Sequence, residues 1–327
     1  FLKNNYNTMI KNQKPIFIVA SGRSGSTLIA NILNRHKKIC IISDLIEPVG
    51  DNRFFERNIK TERKHYFNLI QRQTSLSRIF YWKKKKTKEL LYLPENDIDV
   101  SLLNCYALPF LFNNKVKKFY ELSKKIFLKD KRKKRKSEHL KDYFNILKDL
   151  SKKKIYVERT GGALHHIDKI LDFYPDSKII LNLRSPLETV ISYRKHPFFR
   201  MYYLMLKKKN FTEWNYNRFL NYSEYSKMLN NWYSKFFKHY KRINKKNFCY
   251  YHYENLLDNP EENLEKIILF ILNVKKLDNY SKKFIIRESK KIKPNRPKFR
   301  SLRLNDRKKI SKIFSKTIFQ INKHFPK

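Results

Sequence analysis

Residues 16–33 constrain the fold more than any other part of the chain. Residues 16–20 form an apolar, β-branched run, residues 21–25 are small and turn-prone, and apolar side chains then recur at helical spacing. This pattern predicts a buried strand, a tight turn and a helix that begins at the turn. Such a turn directs free backbone N–H groups and the positive end of the helix dipole toward one point. We therefore expect a phosphate group to bind there.

The composition of this turn argues against a nucleotide-hydrolysing P-loop. Ser26 stands where such a loop has its lysine, and Ala20 stands where it has its first glycine. What remains is Arg23 beside the hydroxyl groups of Ser24, Ser26 and Thr27, a set that holds a phosphate or phosphosulfate without requiring a metal ion. An ordinary strand-to-helix turn capped by Ser or Thr is the alternative.

A second segment has the same organisation. Residues 177–183 form another strand-like run, Arg184 follows it, and Ser185 and Pro186 open a helix that carries Ser192. An arginine at the carboxyl end of a parallel strand and a serine on the next helix can bind a second phosphate from two directions. Two such sites on neighbouring strands predict a nucleotide with a phosphate at both ends.

These two segments resemble known sequence motifs. Residues 21–28 (SGRSGSTL) resemble the 5′-phosphosulfate loop of sulfotransferases that use 3′-phosphoadenosine 5′-phosphosulfate (PAPS), and residues 183–192 resemble their 3′-phosphate motif. Three further blocks, at 157–162, 173–178 and 251–260, stand in the order found in that family. The resemblance implies transfer of a sulfuryl group from PAPS to a hydroxyl or amine without a metal ion, with 3′-phosphoadenosine 5′-phosphate (PAP) as product.

The resemblance also implies roles for individual residues. Those expected to bind the 5′-phosphosulfate are Gly22, Arg23, Ser24, Gly25, Ser26 and Thr27, and those expected to bind the 3′-phosphate are Arg184 and Ser192. The basic loop 293–303 is similar to a late segment that closes over the 3′-phosphate in the family, and Arg296, Arg300 and Arg303 are its candidates. An ordinary surface loop is the alternative.

Charge that builds on the leaving phosphate must be met by fixed cations, and Arg23 and Arg159 are the candidates. A salt bridge from Arg159 to Glu158 or to another carboxylate is the alternative. The transfer also needs a base, and Asp44 and Glu47 follow the strand-like run 39–42 toward the same edge of the sheet. Either could be the base, and the other would then cap the following helix.

Histidines are weaker candidates for the same role. His196 follows the 3′-phosphate helix and is expected near the cleft, whereas His165 and His166 lie on the helix after Gly162. With nine histidines in the chain, most are expected to be surface or structural residues.

The order of these segments predicts the fold class. Strands near 16–20, 39–43, 154–157, 178–183 and 247–252 alternate with helical patterns. This alternation predicts a three-layer α/β fold with a mostly parallel sheet and helices on both faces, and the family resemblance makes it a P-loop-like sulfotransferase fold. We expect one domain over residues 1–327.

Two parts of this domain stand apart in composition. Residues 52–150 are predicted to form a basic helical insertion that serves as a lid or acceptor-binding region. Residues 293–327 are predicted to form a C-terminal basic loop and a helix. The insertion has helical patterns at 62–73, 76–90, 115–128 and 138–151. The basic run 129–136 is expected to be a solvated or disordered connector rather than a binding stripe.

The charge of the chain suggests an acidic partner. The sequence has 74 Lys and Arg against 29 Asp and Glu, a net charge of +45. Nucleic acid, an anionic lipid headgroup and an acidic glycan are the possible partners, but a compositional bias toward lysine and asparagine explains the charge equally well. No zinc-finger or RNA-recognition signature is present in the sequence, so binding to nucleic acid is a less favoured hypothesis than the sulfotransferase function.

The sequence is compatible with more than one function and more than one class of acceptor. A P-loop kinase or NTPase and a basic nucleic-acid-binding protein are the alternative functions, and the acceptor could be a glycan, a lipid or a small molecule. The three cysteines have neither zinc-site nor disulfide spacing, which predicts a reducing, cytoplasmic location. No run reaches the roughly 18 apolar residues of a membrane span. Because the chain begins at Phe1, an upstream anchor or signal is a further alternative.

Overall fold

A computed structural model describes most of the chain. The described residues are 13–44, 55, 57–71, 116–129, 132–194, 196, 199–200, 204, 222–293 and 299–327, with backbone alone at 70–71, 116–120 and 300. Glu47, Arg296 and the predicted helix 76–90 lie outside these residues.

The centre of the fold is a parallel sheet of five strands. Its strands are β1 (Ile16–Ala20), β2 (Ile39–Ser43), β5 (Ile155–Thr160), β6 (Lys178–Leu183) and β7 (Phe248–His252), in the order β2-β5-β1-β6-β7. Every pairing between neighbours is parallel, and β1 lies in the middle between β5 and β6. The predicted parallel sheet is confirmed, and the bounds of β1, β2 and β6 are those expected.

Helices cover both faces of this sheet. They are α1 (Ser26–Asn34), α2 (Arg63–Gln71), α3 (Val116–Lys129), α4 (Lys136–Leu150), α5 (Ile167–Phe173), α6 (Pro186–Arg194), α7 (Tyr222–Tyr240), α8 (Tyr253–Asp258), α9 (Pro260–Leu272), α10 (Asn279–Ser289) and α11 (Leu304–His324). Along β1, Phe17 and Val19 join one buried cluster with α4, α5 and α7, whereas Ile16 and Ile18 join a second cluster with α1, α9 and α10. Alternate side chains of one strand therefore enter two cores, as expected for a three-layer α/β fold.

The carboxyl ends of the strands share one edge of the sheet. The chain leaves β1 at Ser21, β2 at Asp44, β5 at Gly161 and β6 at Arg184, all at this edge. We refer to it as the carboxyl edge. Open α/β sheets bind their ligands at this position, and most of the predicted site residues follow these strands.

A small second sheet lies within the predicted insertion. Strands β3 (Lys60–Glu62) and β4 (Lys133–Arg135) pair antiparallel. The expectation of a solvated or disordered connector at 129–136 is therefore wrong for residues 133–136, which form β4 and begin α4. Lys133 and Arg135 are exposed, but Lys134 pairs with Asp142 and Lys136 is buried. The pairing with β3 comes from residues about 70 positions away in the sequence, which a local charge pattern does not show.

Helices α7 and α9 show how the helical layers are held. Leu229, Trp232 and Phe236 of α7 are buried in the core. Helix α9 begins at Pro260 with acidic residues in its first turn, and the Asn259 side chain makes no capping hydrogen bond. Within the described ranges, no helix is both long and apolar enough to cross a membrane.

Candidate functional site

The turn after β1 has a backbone that only glycine adopts easily at two positions. Gly22 and Gly25 have φ angles of 73° and 86°, and Arg23 between them has a φ of 51°. A Cβ atom on Gly22 would lie 2.5 Å from the Phe199 ring, and one on Gly25 would overlap the ring of Tyr253. Both glycines are therefore required by conformation and by close packing.

This turn, residues 21–25, leads directly into α1. The amide groups of Leu28 and Ile29 already donate to the carbonyl oxygen of Gly25, so the helix begins as soon as the turn ends. The first N–H groups of a helix have no partner within the helix. Ser24 is fully buried, and its Oγ atom has no hydrogen-bond partner among the described residues. A buried hydroxyl group beside a helix N-terminus suits an anionic ligand such as a phosphate group.

Arg184 lies against the same turn, as the sequence predicts. Its Nη1 atom donates a 2.7 Å hydrogen bond to the carbonyl oxygen of Arg23, and its guanidinium group lies 4.9 Å from the centre of the Tyr253 ring. Arg23 in turn donates from Nε to Oγ of Ser192 at 3.2 Å. The two predicted phosphate-binding segments therefore meet at the carboxyl edge.

Asp44 and Arg159 form an ion pair at the same edge. Oδ1 of Asp44 accepts hydrogen bonds from Nη1 of Arg159 at 3.0 Å and from the backbone N–H of Gly161 at 2.9 Å. The Arg159 side chain is only 4% exposed. Glu158 instead accepts a hydrogen bond from the Thr160 hydroxyl group. The carboxylate that pairs with Arg159 is therefore that of Asp44 and not that of the neighbouring Glu158.

For the other site residues predicted from the sequence, the structure gives fewer contacts or none. Ser26 and Thr27 lie in the first turn of α1, Glu47 is outside the described residues, and Arg300 has only its backbone described, in a short 3₁₀ turn at Phe299–Ser301. The ring of His196 is 5.8 Å from that of Phe199, which covers Gly22.

The paired histidines pack against α7 and the core. The ring of His165 is 5.5 Å from that of Trp232 in α7, and His166 is buried. These contacts suit structural roles for both residues.

Sequence reasoning missed several residues that shape the site. Phe199 and Tyr253 pack on the two glycines, the Tyr193 hydroxyl group donates to the carbonyl oxygen of Ser21, and Glu254 accepts a 2.9 Å hydrogen bond from the backbone of Ser185. The glycines at 22 and 25 signalled that something approaches the backbone closely, but nothing in the sequence indicated which side chains do so.

Burial also sets the ionisation of one group in this part of the fold. His252, at the end of β7, has its pKa lowered, chiefly by burial, and its Nε2 atom is 2.8 Å from the carbonyl oxygen of Phe325. The neutral imidazole therefore donates to the C-terminal backbone, and His252 holds the end of the chain to the sheet.

Two solved structures similar to this chain are sulfotransferases. Sulfotransferase STF9 from Mycobacterium avium aligns over 97% of this chain and 79% of its own, with 12% identity and a TM-score of 0.49. The sulfotransferase domain of the curacin biosynthetic pathway aligns over 92% and 90%, with 14% identity and a TM-score of 0.49. At these values the similarities carry no argument about function.

The family itself is identified by sequence. A search of curated proteins finds no match. Residues 15–272, which include all five strands of the main sheet, match the model of the sulfotransferase family. The chain therefore belongs to the sulfotransferase family.

Proposed function

We propose that this sulfotransferase uses PAPS as its donor and transfers the sulfuryl group to a hydroxyl or amine of a glycan or small-molecule acceptor, with a lipid as the alternative. The observation that carries the proposal is the contact between Arg184 and the turn that contains Arg23, with Ser192 within hydrogen-bond distance of Arg23. A nucleotide with phosphates at both ends fits two such segments side by side.

The residues present fit this donor. In the proposal, the buried hydroxyl group of Ser24, the N-terminus of α1 and the side chains of Arg23, Ser26 and Thr27 bind the 5′ end. Arg184 and Ser192 bind the 3′-phosphate, because a guanidinium group and a hydroxyl group form strong hydrogen bonds to phosphate. When bound, PAPS would supply the activated sulfuryl group and a phosphate leaving group. Arg23 and Arg159 would stabilise the negative charge that develops there.

We assign different roles to the two candidate carboxylates. One oxygen of Asp44 already accepts two hydrogen bonds, and one of them holds the guanidinium group of Arg159. Asp44 is therefore the residue that positions Arg159. We therefore assign Glu47 the role of general base. A base is needed to remove the proton from the acceptor, because a hydroxyl group is a poor nucleophile while protonated.

Calorimetry tests the donor directly. We expect PAP to bind at least about 100-fold more tightly than AMP, because AMP lacks the 3′-phosphate and so loses charge-assisted hydrogen bonds of about 1.5–3 kcal/mol each. Arg184→Met should reduce the affinity for PAP to that for AMP while leaving AMP binding nearly unchanged. Equal binding of PAP and AMP to the unaltered protein would contradict the proposal.

A pair of amide substitutions tests the base. Asp44→Asn keeps an oxygen that can accept from Arg159 and Gly161, so it should lower kcat by less than about tenfold. Glu47→Gln removes the general base and should lower kcat by at least about 100-fold. The measurement is single-turnover transfer to an acceptor found by screening glycans and small alcohols with labelled PAPS. The reverse order of effects would assign the base to Asp44.

A further inference from the structure

Glu188, in the first turn of α6, has an arrangement that the proposed donor site does not explain. It is 9% exposed, and its Oε1 atom accepts a 2.6 Å hydrogen bond from the backbone N–H of Phe299, which lies 111 residues further along the chain. Its Oε2 atom lies 3.9 Å from Nη2 of Arg184. One buried carboxylate thus faces both the C-terminal segment and the arginine proposed to bind the 3′-phosphate.

These contacts extend from the C-terminal segment to the turn after β1. Arg184 uses Nη1 to hold the carbonyl oxygen of Arg23, and its Nη2 atom faces Glu188. Phe299 begins the 3₁₀ turn Phe299–Ser301, and its ring packs against the buried cluster on that face of the sheet. The contacts therefore join the turn at 21–25, α6 and the beginning of the C-terminal segment.

The charge of Glu188 is unfavourable for phosphate binding. A carboxylate beside a phosphate-binding arginine repels the phosphate and weakens the field of that arginine. A buried carboxylate is also costly unless it accepts good hydrogen bonds. The short bond from the backbone of Phe299 satisfies one oxygen of Glu188 and fixes the position of the segment that follows.

We propose that Glu188 is a positioning residue: it holds the backbone of Phe299 and faces Arg184, and so fixes residues 299–301 beside the arginine that binds the proposed 3′-phosphate. The effect on ligand binding rests on the proposed PAPS-dependent function. The anchoring of residues 299–301 does not depend on it, because the hydrogen bond joins two groups of the chain itself.

Three substitutions separate the hydrogen bond from the charge. Glu188→Ala removes both, Glu188→Gln keeps an oxygen that can accept from Phe299 but removes the charge, and Glu188→Asp keeps the charge on a side chain one methylene shorter. Hydrogen–deuterium exchange at residues 299–303 reports the anchoring, and calorimetry with PAP and AMP reports the site. Glu265→Ala, at an exposed position on α9, is the matched control.

We expect faster exchange at 299–303 and about tenfold weaker PAP binding, about 1.4 kcal/mol, for the Ala and Asp variants. The Gln variant should exchange like the unaltered protein and should bind PAP equally well or more tightly, since the repulsion is removed. AMP should bind equally to all variants. If the Ala variant does not fold, the Asp and Gln variants make the same comparison.

Two results would overturn the inference. One is unchanged exchange in the Ala and Asp variants, which would mean that Glu188 does not hold the segment. The other is PAP binding that tightens equally in the Ala and Gln variants. That result would show that Glu188 affects PAP binding only through its charge and not through the hydrogen bond to Phe299. If the unaltered protein binds no PAP, the proposed function fails, whereas the exchange measurement still decides whether Glu188 anchors residues 299–301.

Discussion

The two ends of α1 differ in whether the polar groups beside them have hydrogen-bond partners within the chain. At the N-terminal end, the turn after β1 leaves the Oγ atom of Ser24 without a partner among the described residues. At the C-terminal end, Nζ of Lys153 donates to the carbonyl oxygens of Asn34 and His36 at 3.0 and 2.6 Å. The Lys153 side chain thus binds the carbonyl oxygen of the last residue of α1 and one just beyond the helix, whereas the N-terminal end of α1 adjoins the proposed donor site.

Contacts to α10 reinforce the C-terminal end of α1. Arg35 pairs with Glu288, His36 lies 3.1 Å from the Ser281 hydroxyl group, and Lys38 pairs with Asp278. The difference between the two ends suggests a division of labour in which one end stabilises the fold and the other binds the ligand. Substitutions at the two ends should therefore affect different measurements.

The largest effect is expected from Gly25→Ala at the N-terminal end. The new Cβ atom would overlap the Tyr253 ring at a backbone φ of 86°, so the turn must change its shape. We expect PAP affinity to fall by more than about 100-fold, which is more than about 2.7 kcal/mol, as measured by calorimetry.

Gly161→Ala is the matched control for this substitution. A Cβ atom there would be 3.6 Å from its nearest neighbours, an ordinary contact, so the free energy of unfolding should change by less than about 1 kcal/mol. Normal PAP binding by the Gly25→Ala variant would show that the turn does not bind the nucleotide.

A smaller effect is expected from acid at the C-terminal end. Burial, and then the charge of Lys38, lowers the pKa of His36 from 6.5 to about 4. The unfolded chain therefore binds this proton more readily than the folded protein does. Stability from this group is complete above pH 6.5 and falls as the pH drops toward 4.

Urea unfolding between pH 4 and 7 measures this loss. His36→Gln removes the titrating group and should flatten the stability profile over that range. A slope that persists in the variant would show that another group is responsible. Affinity for PAP should not follow the His36 titration, because this residue lies at the opposite end of α1.

The smallest effect is expected from Lys153→Met. It removes the hydrogen bonds to the carbonyl oxygens of Asn34, the last residue of α1, and of His36, together with a favourable charge near the helix C-terminus. These are worth about 1–2 kcal/mol in all. Urea unfolding should show this loss, and calorimetry should show unchanged PAP affinity. A large loss of PAP binding would mean that the two ends of α1 are coupled, contrary to the division of labour.

Much of the fold could be predicted because buried parallel strands are continuous apolar runs. Residues 16–20, 39–43 and 178–183 carry that signal clearly, and each forms the expected strand. The meeting of Arg184 with the turn after β1 followed from the rule that parallel strands place their carboxyl ends at one edge. The roles of Arg184 and of the turn after β1 in ligand binding stay predictions.

Other contacts could not be predicted because they join residues far apart in the sequence. Nothing local indicates that residues 60–62 pair with residues 133–135, or that Asp44 rather than Glu158 accepts from Arg159. The hydrogen bond between Glu188 and the backbone of Phe299 is of the same kind.

For this chain, local pattern was enough to specify the parallel α/β sheet, the glycine turn and the arginine that follows β6, because strand burial, turn conformation and helix starts depend on neighbouring residues. Folding in three dimensions settled which rings cover Gly22 and Gly25, which carboxylate holds Arg159, and where the C-terminal segment meets α6. Those contacts depend on distance in space, and packing of the whole domain sets that distance.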